Sequence, residues 1–448
     1  MNRTKAEKID AVLAHRIWGF PVFLGIVFLI FYFTFVLGKY PVAWIELFFH
    51  FLKHLGLTYL GGGPFRDMLV NGILAGIGGV AVYLPNILLL FLFIALMDSS
   101  GYTASTAMIT DKWMRKAGLP GRSFIPLLMG FGCNVTAIMA AGTIENRRER
   151  ILTVLIIPFM SCSARLPVYI LFISTFFPDF RAAILFCIYL TGILAGWLTA
   201  LLFSRTLLKN EEQPMNLILP PYRIPGIRSL LKQMWNRTWY FIKKMSGVIL
   251  VASLIIWALG YFPCGSPKEL FYRINDHSAD ISGQVALNGT STENITPDCD
   301  SLVSGNQDIA AQVHRLENSC ISRIGRWIHP VFVPLGFDWK MSISILTGFP
   351  AKEIVISTMA VLYNSQSSDT DPAEINKSDL EHTGLPYPAL TAISFMIFIL
   401  LSFPCMGTLT AIHRESGSRW WMLFSFLYTT GIAWLLSFMI YQIGTALS

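Results

Sequence analysis

Three thiols, a carboxylate and two cations stand where long apolar runs are interrupted. The interruptions read Gly130-Phe131-Gly132-Cys133-Asn134, Ser161-Cys162-Ser163-Ala164-Arg165, Gly348-Phe349-Pro350-Ala351-Lys352-Glu353 and Pro404-Cys405. Thiolate sulfur together with carboxylate oxygen is a mixed ligand set suited to a borderline divalent ion such as Fe²⁺, Zn²⁺ or Mn²⁺. Cys133, Cys162, Cys405 and Glu353 are therefore the candidate metal ligands. Gly130, Gly132, Asn134, Ser161, Ser163, Arg165, Gly348, Lys352 and Pro404 are the candidate pore or hairpin residues around them. The competing explanation for any one cysteine is that it fills a gap as a small hydrophobe, and Cys187, mid-run with no interruption, fits that explanation. Glu353 would ligate a cation or accept a proton, with Lys352 as its neutralising partner; a purely structural ion pair is the alternative.

The elements that position these groups must be membrane helices. Apolar residues make up 54% of the 448 and charged residues only 14%, against about 25% charged in a soluble domain. The run 17–37 holds no charge. It is long enough to span a bilayer and too long for a signal-peptide core. Further apolar runs cover 68–97, 123–144, 151–177, 182–203, 247–262, 341–363, 389–412 and 420–443, and the aromatic-rich stretch 38–67 is expected at the membrane interface. The formal charge of +7 gathers in short loops beside the spans. That is the positive-inside pattern of a multi-pass membrane protein, and it gives no reason to expect nucleic acid.

A repeat is visible. Gly130 opens GFGCNVTAIMA and Gly348 opens GFPAKEIVISTMA, and each precedes a second apolar run broken at a cysteine. Cys162 lies 32 residues after Gly130 and Cys405 lies 57 after Gly348; the excess of 25 equals the length of the polar insert 364–388. The basic stretches 98–122 and 205–244 are expected in the cytoplasm and the acidic loop 263–339 outside. All three placements hold if 123–144 and 341–363 are re-entrant hairpins, which gives the two halves opposite orientation. The expected fold is thus an all-α polytopic membrane protein with two inverted repeats of re-entrant hairpins and broken helices, preceded by an N-terminal span. Its expected divisions are 1–67, 68–246 and 247–448.

Secondary features are weaker. Cys299 and Cys320 could pair if the long loop is outside. The clusters Glu145–Arg150 and His413-Arg414-Glu415 read as solvated helix ends, with a docking surface as the alternative. His277, His314 and His329 lack ligand spacing, and the sequons at Asn288 and Asn294 are short patterns.

At the quoted motifs, and also at PFMSCSARLPVY (158–169) and PLGFDWKMSISILTGFPAKEIV (334–355), the chain resembles the membrane domain of the FeoB family of ferrous-iron transporters. The resemblance runs from about Ala6 to the C-terminal end. It implies two Gate repeats related in fold to concentrative nucleoside transporters, Fe²⁺ as cargo rather than a permanently bound cofactor, and Cys133, Cys162 and Cys405 as pore residues, with Glu353 in the second Gate motif. Thr136 stands where the family usually has Pro, and Gly142 where it usually has Arg. The family's N-terminal GTP-binding domain is absent from the sequence, and no G-x-x-x-x-G-K-[ST] loop occurs. The expectation is a transporter, not an enzyme, working with a cytoplasmic GTP-binding domain in trans, in lipid, with a homo-oligomer left open. The alternatives are a Gate-fold carrier for a nucleoside or other small solute, and a transport-dead interaction subunit.

Overall fold

The computed structural model describes residues 19–59, 64–100, 102–208, 226–261, 319–350, 352–363 and 388–447. They form helices α1 (Gly19–Tyr59), α2 (Ala75–Ser100), α3 (Tyr102–Lys116), α4 (Phe124–Gly130), α5 (Asn134–Ala141), α6 (Arg147–Ile156), α7 (Leu166–Phe176), α8 (Arg181–Arg205) and α9 (Ile227–Tyr261). They continue as α10 (Cys320–Phe332), α11 (Trp339–Thr347), α12 (Ile354–Tyr363), α13 (Pro388–Leu401), α14 (Met406–Ser416) and α15 (Arg419–Leu447). Among the described residues, six stretches are long and apolar enough to cross a membrane: Phe28–Tyr59, Phe65–Met97, Arg147–Phe176, Arg181–Arg205, Ala389–Ser416 and Arg419–Ala446. The protein is therefore an all-α, multi-pass membrane protein.

The side chains are sorted for lipid outside and close packing inside. Helix α8 exposes Phe186, Leu190, Leu194, Leu198 and Leu202, while Gly192, Ala195, Gly196 and Thr199 are buried. Small residues on the inner face let backbones approach closely, which is how helices associate in lipid. A Cβ at Gly192 would fall 2.8 Å from the carbonyl oxygen of Phe159, so only glycine fits there. The interior is aromatic: the Phe395 ring lies tilted against Phe172 at 5.1 Å and edge-to-face with Phe337 at 5.3 Å, between centroids.

The hairpins are real and too short to be spans. Helices α4 and α5 have seven and eight residues, α11 and α12 nine and ten, or about 10–15 Å each at 1.5 Å per residue. The limbs of each pair pack on one another. Local signals set their ends. Asn146 caps α6 by accepting from the Arg148 amide at 3.0 Å, and Asp338 caps α11 by accepting from Met341 at 2.7 Å. Gly417, at φ 70°, turns the chain from α14 into α15 in a conformation that favours glycine.

The long apolar run 151–177 is broken between α6 and α7, with short 3₁₀ turns at Ile157–Phe159 and Ser163–Arg165. The run 389–412 is likewise broken between α13 and α14. Helix α6 packs against α14 and α7 against α13. That crosswise pairing makes the two broken helices antiparallel, with their breaks side by side. Each hairpin also leans on the other half: α5 packs on α14, and α12 on α7. The inverted arrangement is thus present in the packing itself.

Three boundaries differ from expectation. The segment 38–67 is not a separate interfacial piece, because α1 runs unbroken for 41 residues through Pro41; the aromatic run has no breaker strong enough to stop it. The span expected at 247–262 begins earlier, because residues 227–244 of the basic stretch 205–244 are already helical as the first part of α9. The end of the acidic loop 263–339 is helical as α10, whose Ser319 cap accepts from the Ser322 amide. Cys320 is disulfide-bonded, whereas Cys133, Cys162, Cys187 and Cys405 are free thiols. A disulfide beside α10 agrees with an extracytoplasmic loop; Cys299 lies outside the described residues.

Candidate functional site

The four breaks meet, and backbone groups freed by one are taken up by another. A broken helix at membrane depth leaves N–H and C=O groups that must find partners in the protein. Between the first and second breaks, the carbonyl of Gly132 accepts from the Ser163 amide at 3.2 Å and from the Ser163 hydroxyl at 2.9 Å. Between the third and fourth, the carbonyl of Phe349 accepts from the Met406 amide at 3.2 Å. Each tie runs from a hairpin tip to the residue after a cysteine, although the acceptors differ by one position, since Phe349 aligns with Phe131. Asn134 adds a tie: its carboxamide, with the nitrogen turned toward them, donates to the carbonyls of Gly130 at 2.9 Å and Met160 at 3.3 Å. Gly130 is required by the approach, since a Cβ there would lie 2.8 Å from Cβ of Met160. Gly348 lies in the turn after α11, the corresponding place in the second hairpin.

The three site cysteines share one structural role. Cys133 is the N-cap of α5, Cys162 of the turn leading into α7, and Cys405 of α14, all with extended backbone. Cys162 and Cys405 have nearly the same conformation, with ψ of 159° and 161°. All three are only partly buried. A helix N-terminus presents unpaired N–H groups and the positive end of the helix dipole, and Cys133 and Cys405 stand at such ends. The sulfurs of Cys133, Cys162 and Cys405 lie within electrostatic reach of one another, and Glu353 within reach of Cys162. Cys405 Sγ also lies 3.2 Å from Thr408 Oγ1. Among the described residues, no three His, Cys, Asp or Glu side chains are close enough to hold a metal ion together. The candidate ligands therefore share a neighbourhood, not a closed cage.

Two buried cations meet at the fourth break. Arg165 is 1% exposed; one guanidinium nitrogen donates to Pro158 and Leu400 carbonyls, and the other to the Ser402 carbonyl at 3.5 Å. Lys352 is 2% exposed; its ammonium donates to Ser402 Oγ at 3.1 Å and sits 4.0 Å from the centroid of the Phe403 ring. Ser161, on the second break, donates to the Tyr169 hydroxyl at 3.2 Å. Ser402 was not singled out in the sequence. The available signal was its place as the last polar residue before Phe403-Pro404-Cys405, at the end of a long apolar run. Glu145, Arg147 and Arg148 lie away from the breaks, at the α5–α6 turn, and Arg414 at the end of α14.

Opposed repeats, re-entrant hairpins and crossed broken helices define an inverted-repeat membrane protein of the kind found among secondary transporters. The family model described as Gate, nucleoside recognition, matches residues 80–176 and 242–419, which include every break. The model described as ferrous iron transport protein B C terminus matches 185–237, between them. The chain belongs to the Gate family, and the second model and the relatives show it to be similar to the membrane region of FeoB proteins. A fusion protein from Porphyromonas gingivalis, named Fe(2+) transport protein A/Fe(2+) transporter FeoB, is 44% identical over 99% of this chain and 52% of its own length. The Fe(2+) transporter FeoB of Campylobacter jejuni is 36% identical over 98% of this chain and 65% of its length, and that of Staphylococcus aureus 35% over 98% and 59%. The chain thus spans between about half and two thirds of the curated relatives it matches. No solved structure matches it.

Proposed function

We propose that this chain is the ion-conducting membrane part of a ferrous-iron transporter and passes Fe²⁺ toward the cytoplasm through the crossing of its four breaks. The observation that carries this reading is the convergence of three free cysteines, at the heads of α5, of the 3₁₀ turn before α7 and of α14, where two antiparallel broken helices cross. Burial opposes an isolated charge there, so thiolate and metal ion are natural counterparts. Cys133, Cys162, Cys405 and Glu353 are the residues offered to the ion. A loose neighbourhood suits transit, because conduction needs a site that the ion can also leave. The ion is cargo, and no resident cofactor is proposed.

The names of the relatives agree with iron as the cargo. The fused relative joins an Fe(2+) transport protein A to its FeoB part, which supports work alongside further soluble domains. For this chain those partners are a cytoplasmic GTP-binding domain and a protein of the A type, acting at a bacterial plasma membrane. The chain itself performs no catalysis on this reading. Purified protein in liposomes, offered Fe²⁺, Mn²⁺, Zn²⁺ and a nucleoside in parallel, tests it. Uptake of Fe²⁺ above protein-free vesicles is expected, with nucleoside at background. Nucleoside uptake without metal uptake would replace this reading with the solute-carrier one.

A further inference from the structure

The second half of the site departs from the symmetry of the first. The stretch from Gly348 to the start of α12 is two residues longer than that from Gly130 to the start of α5. The longer turn carries Lys352, and no lysine occupies the first hairpin. Lys352 uses this reach to place its ammonium on the hydroxyl of Ser402, which is itself fully buried. Arg165 comes from the opposite repeat and takes the carbonyls of Leu400 and Ser402. Ser402 therefore receives one cation through its side chain and another through its backbone. It lies three residues before Cys405, and its own amide closes the last turn of α13 on Phe398 at 2.7 Å.

We infer that Ser402 is a positioning residue, which fixes the fourth break, and with it Cys405, against the second hairpin and the second break. This rests on the metal-path reading for its effect on uptake but not for its effect on geometry. Among the described residues, the hydroxyl is the only hydrogen-bond acceptor of the Lys352 ammonium. A buried ammonium without an acceptor is costly, so removing the hydroxyl releases Lys352 and the hairpin tip that bears Glu353. The break then loses one of its two anchors while Arg165 keeps the other.

The test compares S402A, S402T, K352M and the S402A/K352M double variant, each checked for membrane insertion and a monodisperse profile in detergent. The first readout is the alkylation rate of Cys405 in metal-free protein, resolved by peptide mass spectrometry. S402A should raise it about tenfold, the scale of a lost hydrogen bond to a charged group. S402T should restore the parent rate, and the double variant should be no faster than K352M. The second readout is Fe²⁺ uptake: KM should rise by about the same factor with the maximal rate retained. Parent-like Cys405 reactivity in inserted S402A, or S402T behaving like S402A, overturns the inference. K352M carries the same forecast if S402A does not insert, and parent-like Cys405 reactivity in K352M overturns it equally. If parent protein moves no Fe²⁺ but the thiol rates respond as expected, the metal-path reading fails and the positioning role stands.

Discussion

The amide and the hydroxyl of Ser163 both donate to the carbonyl of Gly132, at 3.2 and 2.9 Å, so one residue of the second break occupies both lone pairs of the first hairpin's tip. The joint needs Gly130 as well, because Met160 lies where a Cβ would go. Ser163→Ala keeps the amide bond and loses the hydroxyl bond. It should cost about 1 kcal/mol. Gly130→Ala forces the two breaks apart and should cost about 1–3 kcal/mol. Thermal unfolding of detergent-solubilised protein ranks the two, and equal or reversed costs would contradict the close approach.

Arg165 ties the halves through geometry as well as charge. Its planar fork reaches the carbonyls of Pro158, Leu400 and Ser402 at once. A lysine has the charge but not the fork. Arg165→Lys should therefore fail to rescue, and Arg165→Met should leave three carbonyls unpaired at about 1–3 kcal/mol each. Both variants should melt well below the parent, and an Arg165→Lys protein melting with the parent would refute the tie.

The breaks were legible because glycine, proline and polar residues have no other business inside apolar runs of this length. The repeat was legible because Gly130 and Gly348 open similar sequences and the spacing to Cys162 and Cys405 agrees once one loop is removed. What joins the breaks was not legible. Arg165 and Leu400 are separated by 235 positions, and no local pattern announces that a guanidinium will find a carbonyl so far along the chain. Ser402 was invisible for the same reason: a serine near a helix end has many ordinary uses. The length of α1 was not legible because the aromatic-rich stretch after residue 37 reads as interfacial, whereas the helix runs on through it and through Pro41.

At the outer end of the second hairpin, Asp338 caps α11 and accepts from the Tyr363 hydroxyl at 2.8 Å on both carboxylate oxygens. It lies outside the six apolar spans. Burial pushes its carboxyl above the ordinary value, against the opposing pull of the Met341 amide, the Tyr363 hydroxyl and Lys340. An acid with a raised folded value binds its proton more tightly when folded, so stability falls as pH rises from about 4 toward that value. Asp338→Asn should lose this slope. Melting temperatures of parent and variant should diverge across that window in favour of Asn as pH increases, and parallel curves would refute the burial effect.

The orientation is open to direct labelling. Basic residues at the starts of α6, α9 and α15 predict, by the positive-inside rule, that those ends face the cytoplasm. A cysteine at exposed Ser229 should react with an impermeant reagent only after cells are permeabilised. One at exposed Arg323, in α10, should react in intact cells. The opposite pattern would turn the whole fold over in the membrane.

The sulfur hypothesis makes the sharpest forecast about the site. Cys162 and Cys405 hold matching positions in the repeat and nearly the same extended backbone, Cys162 heading the 3₁₀ turn before α7 and Cys405 heading α14, while Cys133 heads α5 at the first hairpin. If their sulfurs handle the ion, Cys162→Ser and Cys405→Ser should lower Fe²⁺ uptake in protein that still inserts and melts normally. Mn²⁺ should suffer less, because a hydroxyl is a harder ligand and Mn²⁺ depends less on sulfur. Glu353→Gln should reduce uptake of both ions through lost charge near Cys162. A cysteine that only fills space makes the opposite forecast, since Cys→Ala changes little volume in a partly buried position. Uptake is therefore measured for Ala variants at 133, 162 and 405, singly and together. Full activity in the triple variant would remove sulfur from the mechanism. It would leave Glu353 and the hairpin carbonyls not already engaged, which excludes Gly132 and Phe349 because Ser163 and Met406 hold them.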